Sequence, residues 1–407
     1  MSNHNNINFE SFINSDKFKK TDGINKKIFI KLVNRIRESI DTKKNVFHSF
    51  SKKFKLSFNF NDLKKFKKFK RIIIIGLGGS ILGAQSINYF LNKNSKKDLI
   101  FMNNLDLYQI DKLRKLKGLK KSLFIIISKS GSTVEVLSII NSLKDKAKFN
   151  NNNSIVITEN KKNNLYLFAK KLKLKIIFHK NYIGGRYSIF SETALVPCYL
   201  MGFNVLKLKK NILNFLNKKK NVLINNLLNL SKVYESKKFH SLVLLNYVNG
   251  LDYFLMWCQQ LIAESLGKKG KGIIPLISIA PRDHHSLLQL YLDGPRDNFF
   301  YIFSSKESKK KRKTKGLFSE ALNNASAYEL INNQKKAMIS LLKDKKIPFI
   351  SIEIKKRDEE TLGELFSYFI LETVLIAESL KINPFNQPAV EQLKVLTNKN
   401  LFKKIQR

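Results

Sequence analysis

The sequence predicts an α/β protein of two doubly wound parallel-sheet units, each an α-β-α sandwich, with a helical N-terminal arm and a C-terminal helix. Three observations carry this. The 407 residues are two to three times an ordinary domain of roughly 150 residues, which predicts two domains. Short apolar runs, rich in β-branched and aromatic residues, alternate with helix-length segments. Within each run consecutive positions are apolar, as in parallel strands buried on both faces.

The elements follow in order. Residues 1–65 are polar and lysine-rich, and Ile28, Ile30, Leu32, Val33 and Ile36 have amphipathic helical spacing, so this stretch reads as a helical arm. Residues 66–205 form the first unit, with strands expected at Arg71–Ile75, Asp98–Met102, Leu123–Ile127, 154–158 and 174–178. The lysines at 218–220 lie in a long helical region and mark a boundary near 205–225. Residues 206–385 form the second unit, with strands at 242–246, 299–303 and 348–354 and long helices at 251–266 and 359–380. Residues 386–407 supply the terminal helix, 388–402, which carries Lys394. No short-period repeat is present.

Composition excludes several classes. Hydrophobic residues at 43% and aromatics at 11% suffice for sizeable cores and exclude a wholly disordered chain. Seven Pro and 17 Gly exclude fibrous classes, and two Cys, Cys198 and Cys258, exclude a disulfide framework or a cysteine-built zinc site. No apolar run approaches the roughly 18 residues of a transmembrane helix. The opening MSNHNNINFESF lacks the basic and apolar regions of a signal peptide, so a soluble cytoplasmic protein is expected.

Lys and Arg total 75 against 31 Asp and Glu, a formal charge of +44. Such an excess resembles a nucleic-acid footprint. Yet only ten of the 75 are Arg, the residue of bidentate phosphate and base recognition. The excess is dispersed and accompanies heavy Asn, Ile and Phe usage, which A/T-rich codons explain together. Nucleic-acid binding is therefore expected to be at most non-specific, through surface charge. The charged stretch 304–315 (SSKESKKKRKTK) reads as a solvated loop, with a nuclear-import or RNA patch as the alternative.

Five constellations carry chemistry. The strand at 72–75 runs into Gly76-Leu77-Gly78-Gly79-Ser80-Ile81-Leu82-Gly83, a turn that lets backbone N–H groups approach an anion at a helix start. It is neither the dinucleotide fingerprint, because Ile81 holds the third glycine position, nor a Walker A loop. A purely structural turn stays open. Ser128-Lys129-Ser130-Gly131-Ser132-Thr133 follows the strand Leu123–Ile127, where open sheets place ligands, and its hydroxyls suit a phosphate cradle, with an ordinary polar N-cap as the alternative. Ser132 and Glu135 have capping-box spacing, which predicts a helix start there. Gly184-Gly185-Arg186-Tyr187-Ser188 puts a scarce arginine behind paired glycines. Glu264 stands near the end of the helix at 251–266 as a candidate base, or as a surface partner of Lys268. Asp283-His284-His285-Ser286 holds adjacent histidines, which diverge on a helix or strand. They suit proton shuttling rather than a metal site, and no metal is expected.

Together and in this order these motifs resemble the glucose-6-phosphate isomerase (phosphoglucose isomerase) family over roughly residues 66–395. Gly76–Gly83 is similar to its GIGGSxLG loop, SKSGST to its phosphate loop, GGRYSIFS to GGRxSxxS, AESLGK at 263–268 to ESxGK, HSLLQL at 285–290 to HSxxQL, and FNQPAVEQLK at 385–394 to FDQxGVExGK. The resemblance implies two sugar-isomerase (SIS) subdomains and the reversible conversion of glucose 6-phosphate to fructose 6-phosphate without a cofactor. It implies phosphate contacts from Ser128, Ser130 and Thr133 and from the backbone of Lys129 and Ser132. It places Gly79 and Ser80 against the sugar. Glu264 becomes the proton shuttle, Arg186 the stabiliser of the enediolate oxygen, and His285 the ring-opening residue, contributed across a homodimer. Lys394 and Gln387 line the ring-opening side. The sequence departs from the family at Asn386, Pro388 and Ala389, which bears on the local geometry around Lys394. Alternatives are a same-fold isomerase that also uses mannose 6-phosphate, and a non-catalytic phosphosugar sensor or nucleic-acid-binding protein.

Overall fold

The computed structural model describes residues 6–13, 26–42, 44–91, 97–306, 319 and 325–405. Its strands are β1 (Ile7–Phe12), β2 (Arg71–Ile75), β3 (Asp98–Met102), β4 (Leu123–Ile127), β5 (Ser154–Glu159), β6 (Lys175–His179), β7 (Ser241–Asn246), β8 (Ile274–Ile279), β9 (Asn298–Ser305) and β10 (Phe349–Ile354). Its helices run α1 (Lys26–Ser39), α2 (Phe60–Leu63), α3 (Leu82–Leu91), α4 (Leu107–Arg114), α5 (Val134–Ala147), α6 (Asn164–Lys171), α7 (Glu192–Met201), α8 (Val205–Lys210), α9 (Lys220–Ser236), α10 (Asp252–Leu266), α11 (Leu288–Asp293), α12 (Ala327–Asp344), α13 (Glu359–Ser379) and α14 (Pro388–Ile405).

The first sheet has the order β3-β2-β4-β5-β6 and is parallel throughout. The second, read as β8-β7-β9-β10, repeats the same winding with parallel pairing. Where the first sheet ends on β6, the second ends on β1, which lies antiparallel on β10 with Ile7 opposite Ile354. Alternate side chains of a strand leave opposite faces, and the cores follow that rule. Ile72 and Ile74 enter a large core with Leu242, Leu244, Tyr301 and Ile352 of the second sheet and the helices α3, α7, α10 and α13 between the sheets. Ile73 and Ile75 face outward onto α4, α5 and α6. Val243, Phe300 and Ile302 face outward onto α12. The two units therefore share one helical layer and one continuous core.

Two elements differ from expectation. The N-terminal arm is helical at α1, where Phe29, Val33 and Ile36 are buried, but residues 7–12 are a strand. Its partner β10 lies more than 300 residues along the chain, so only long-range pairing makes it one. β8 (IPLISI) lies outside the expected strands, and it contains Pro275. It is an edge strand, where a missing N–H is tolerated, and Ile274 and Leu276 are exposed. The terminal helix spans Pro388–Ile405, slightly longer than expected. Of the charged stretch 304–315, residues 307–315 lie outside the described residues. No helix among the described residues is long and apolar enough to cross a membrane.

Candidate active site

From β2 the chain winds to β3 on one side and later to β4 on the other. The carboxyl ends of β2 and β4 thus flank the switch point of the first sheet, where such folds bind ligands. Both glycine- and serine-rich loops emerge there.

The loop after β4 is built around Thr133. Its Oγ1 lies 2.8 Å from Ser128 Oγ and 3.4 Å from Ser130 Oγ. Gly131 N donates to Ser128 Oγ at 3.1 Å and Ser132 N to Ser130 Oγ at 3.3 Å. Gly131 has φ +66°, and a Cβ there would fall 1.9 Å from Asn163 Oδ1, so only glycine fits this bend. The expected capping box at Ser132 does not form. Helix α5 starts at Val134 with Thr133 as N-cap, and Thr133 makes no side-chain cap bond because its hydroxyl turns back to Ser128. The first-turn N–H groups of α5 are left to face the loop, which suits an anion. Ser130 and Ser132 are exposed and Ser128 is buried. Lys129 directs its side chain away, donating to Asn181 O at 2.9 Å with Glu159 3.4 Å off. Burial holds its ammonium below the usual lysine range, partly offset by Glu159.

After β2, Gly78–Ser80 forms a 3-10 turn pressed against a second 3-10 turn, Gly185–Phe190. A Cβ on Gly79 would lie 2.2 Å from the Gly185 carbonyl carbon, so the two loops touch only because residue 79 is glycine. This contact carries Arg186 inward, and it is 2% exposed. Its five N–H groups all find acceptors: Nε on Ser265 Oγ at 2.9 Å, Nη1 on Glu264 Oε2 at 2.8 Å and on Gln387 Oε1, and Nη2 on the carbonyls of Pro384 and Asn386. Trp257 Nε1 donates to the Arg186 carbonyl at 2.9 Å and fixes the backbone.

Glu264 lies in the last turn of α10, partly exposed, with one oxygen on Arg186 and the other accepting from Gln260 Nε2 at 2.8 Å. It is therefore a site carboxylate and not a surface partner of Lys268, whose Nζ donates instead to Asn383 O at 2.6 Å. Gln260 is one turn before Glu264 on the same face, and its Nε2 would be 2.8 Å from a Cβ on Gly78. It stands between the glycine loop and the carboxylate. Sequence reading missed Gln260, although its i−4 spacing from Glu264 was the available signal. It also missed Ser265 and Tyr187, whose hydroxyls meet at 2.7 Å behind Arg186.

The structure thus brings Gly79, Ser80, Arg186, Glu264 and Gln387 to one cluster, beside the loop of Ser128, Lys129, Ser130, Ser132 and Thr133. Two expected residues stand apart. His285 is exposed on the 3-10 turn after β8, and no described hydrogen bond links it to the cluster, while His284 Nε2 lies 2.8 Å from Tyr247 OH. Lys394 is on the exposed face of α14, paired with Glu391 at 2.8 Å. Among the described residues no group of three His, Cys, Asp or Glu is arranged to hold a metal ion.

A twice-repeated doubly wound sheet, with a hydroxyl-rich anion cradle at its switch point beside a buried arginine that pairs with a partly exposed carboxylate, defines an α/β protein of the sugar-isomerase fold class. The phosphoglucose isomerase profile matches residues 24–406. The chain is 32% identical to a glucose-6-phosphate isomerase of Methanocaldococcus jannaschii, over 83% of this chain and 85% of that one. It is likewise 32% identical to that of Campylobacter jejuni, over 80% and 84%. This chain belongs to the phosphoglucose isomerase family. Among solved structures, a hypothetical protein of Thermus thermophilus superposes with TM-score 0.80 at 22% identity, covering 92% of this chain and 95% of that one. A glucose-6-phosphate isomerase of Chlamydia trachomatis superposes with TM-score 0.69 at 18% identity, covering 94% and 74%. Both share the fold.

Proposed function

We propose that this protein interconverts glucose 6-phosphate and fructose 6-phosphate. The observation that carries the mechanism is the Glu264 carboxylate, held at 2.8 Å by Arg186 on one oxygen and by Gln260 on the other. Aldose–ketose isomerisation moves a proton from C2 to C1 of the open-chain aldose and the hydroxyl proton from O2 to O1, through an enediolate whose negative charge lies on those two oxygens. One base and one cation beside it suffice. Glu264 takes the proton and returns it, and the Arg186 guanidinium faces the charge that develops. Nη1 of Arg186 exchanges Gln387 Oε1 for the enediolate oxygen in this step.

The loop 128–133 supplies hydroxyls and N–H groups to the phosphate, which anchors the sugar at a distance from the reacting carbons. Gly79 and Ser80 line the sugar. We assign His285, exposed after β8, to ring opening in a second copy of the chain within a homodimer. Lys394 and Gln387 complete the ring-opening side, which asks α14 to bring Lys394 inward from its pairing with Glu391. A glycolytic role in the cytoplasm accords with this chemistry.

The test is a coupled assay on purified protein, with fructose 6-phosphate supplied and glucose 6-phosphate detected. Turnover is expected. A folded protein that binds the sugar phosphate and does not turn it over overturns the isomerase reading and favours a sensor.

A further inference from the structure

The chain that leaves α13 returns to the active site as a strap, residues 380–387, before α14 begins at Pro388. The strap contains neither helix nor strand, and Phe385 on it is exposed. Its main-chain carbonyls are instead taken up in succession by side chains of the site. Lys271 Nζ donates to Leu380 O at 2.8 Å and Lys268 Nζ to Asn383 O at 2.6 Å. Tyr187 OH donates to Pro384 O at 3.0 Å, and Arg186 Nη2 to Pro384 O and, at 3.2 Å, to Asn386 O. Asn383 Oδ1 accepts from Phe385 N at 2.9 Å, which closes the turn between these anchors. The strap ends on Gln387, bonded to the same Arg186 nitrogen that holds Glu264.

Lys268 differs from the other anchors of this turn. Arg186 and Tyr187 are fully buried, whereas Lys268 is partly exposed just past the end of α10, four residues after Glu264. A donor that carries charge makes the stronger hydrogen bond to a neutral carbonyl. We propose that Lys268 is a positioning residue: by holding the Asn383 carbonyl it fixes the strap, and through Gln387 and Arg186 it fixes the angle of the Glu264 carboxylate. The catalytic consequence rests on the isomerase reading above, whereas the anchoring of the strap does not. The charged groups that face its ammonium are Arg186, from the turn after β6, and Glu264, from α10. Burial, with Arg186 adding to it, lowers the Lys268 pKa to about 8, and Glu264 opposes the shift. The amine loses its charge, and the anchor weakens, as pH rises through that value.

The experiment compares wild type with Lys268→Met and Lys268→Arg by steady-state kinetics between pH 6.5 and 9.5 and by amide hydrogen exchange of residues 381–387 in the resting protein. Lys268→Met is expected to lower kcat by about tenfold to a hundredfold, as misplacement of a catalytic group does, with KM changed far less because the described hydrogen bond of Lys268 goes to the strap and not to the phosphate loop. Its strap amides should exchange faster while those of α10 do not. Lys268→Arg keeps its charge, so it should recover most of the turnover and hold it to higher pH than wild type. Unchanged strap exchange in Lys268→Met overturns the proposal, as does a loss of turnover that Lys268→Arg does not relieve at any pH. A wild-type protein without turnover overturns the isomerase reading alone, and the exchange comparison then decides the anchoring by itself.

Discussion

At the scale of single residues, the proposed chemistry centres on Glu264. Two donors, Arg186 and Gln260, point one at each of its oxygens, so the carboxylate cannot swing without breaking one of them. Glu264→Gln keeps the shape and removes the base. Its kcat should fall by about 10²–10⁴-fold, the usual contribution of a positioned general base, with the circular dichroism spectrum unchanged. A variant within twofold of wild type would remove Glu264 from the mechanism. Arg186 is the complementary case. Its five donors are saturated by Ser265, Glu264, Gln387, Pro384 and Asn386, so it is as much the organiser of the site as its cation. The sequence showed that an arginine was scarce and placed behind glycines. It did not show that residues 264–265 and 384–387 converge on it.

At the scale of elements, α13 is the most informative. It is buried on every side over most of its 21 residues, as a helix between two sheets must be, yet it carries Glu372 at its centre. Tyr368 OH donates to that carboxylate, and Asn226 Nδ2 donates in turn to Tyr368 OH at 3.0 Å. Burial pushes the Glu372 carboxyl up to about 7, against the hydrogen bonds that pull it down. The folded state therefore holds this proton more tightly than the unfolded chain, whose glutamate titrates near its ordinary value of 4.5. Stability from this group is complete below that value, declines as pH rises from about 4.5 to about 7, and levels off above. The loss is on the order of 3 kcal/mol at about 1.36 kcal/mol per pH unit. Glu372→Gln stays neutral and accepts the Tyr368 hydrogen bond, so its melting temperature should exceed that of wild type by a margin that widens across this window. Parallel melting curves at pH 5 and pH 8 would show that Glu372 is not the titrating group.

At the scale of the whole molecule, the two units repeat one winding, and the N-terminal strand completes the second by taking the edge that β6 takes in the first. The +44 charge belongs to this scale as well. It is spread over the chain and mostly lysine, so RNA should bind weakly, without sequence preference, and with an affinity that falls steeply with salt. Fluorescence titration of two unrelated RNA oligomers at 50 and 200 mM salt checks this. Tight binding that separates the two oligomers would point to a built nucleic-acid site.

The amino-acid sequence by itself determined the strands of the first sheet and the loops at their carboxyl ends, and it offered Glu264, Arg186 and the SKSGST hydroxyls as candidates. These features are local: an apolar run buried on both faces, a glycine where a backbone must bend, a hydroxyl beside a helix start. Tertiary structure alone decided the rest. β1 is a strand only because β10 offers an edge to it, and β8 tolerates Pro275 only because it lies at the rim. Thr133 spends its hydroxyl on Ser128 instead of capping α5, because the loop folds back on itself. Gln260 joins the site because α10 packs against the glycine turn, and the strap reaches Arg186 because Lys268 and Tyr187 draw its carbonyls there. Each of these depends on groups far apart in the chain, and no local pattern records which distant partner a backbone carbonyl or a free sheet edge will find.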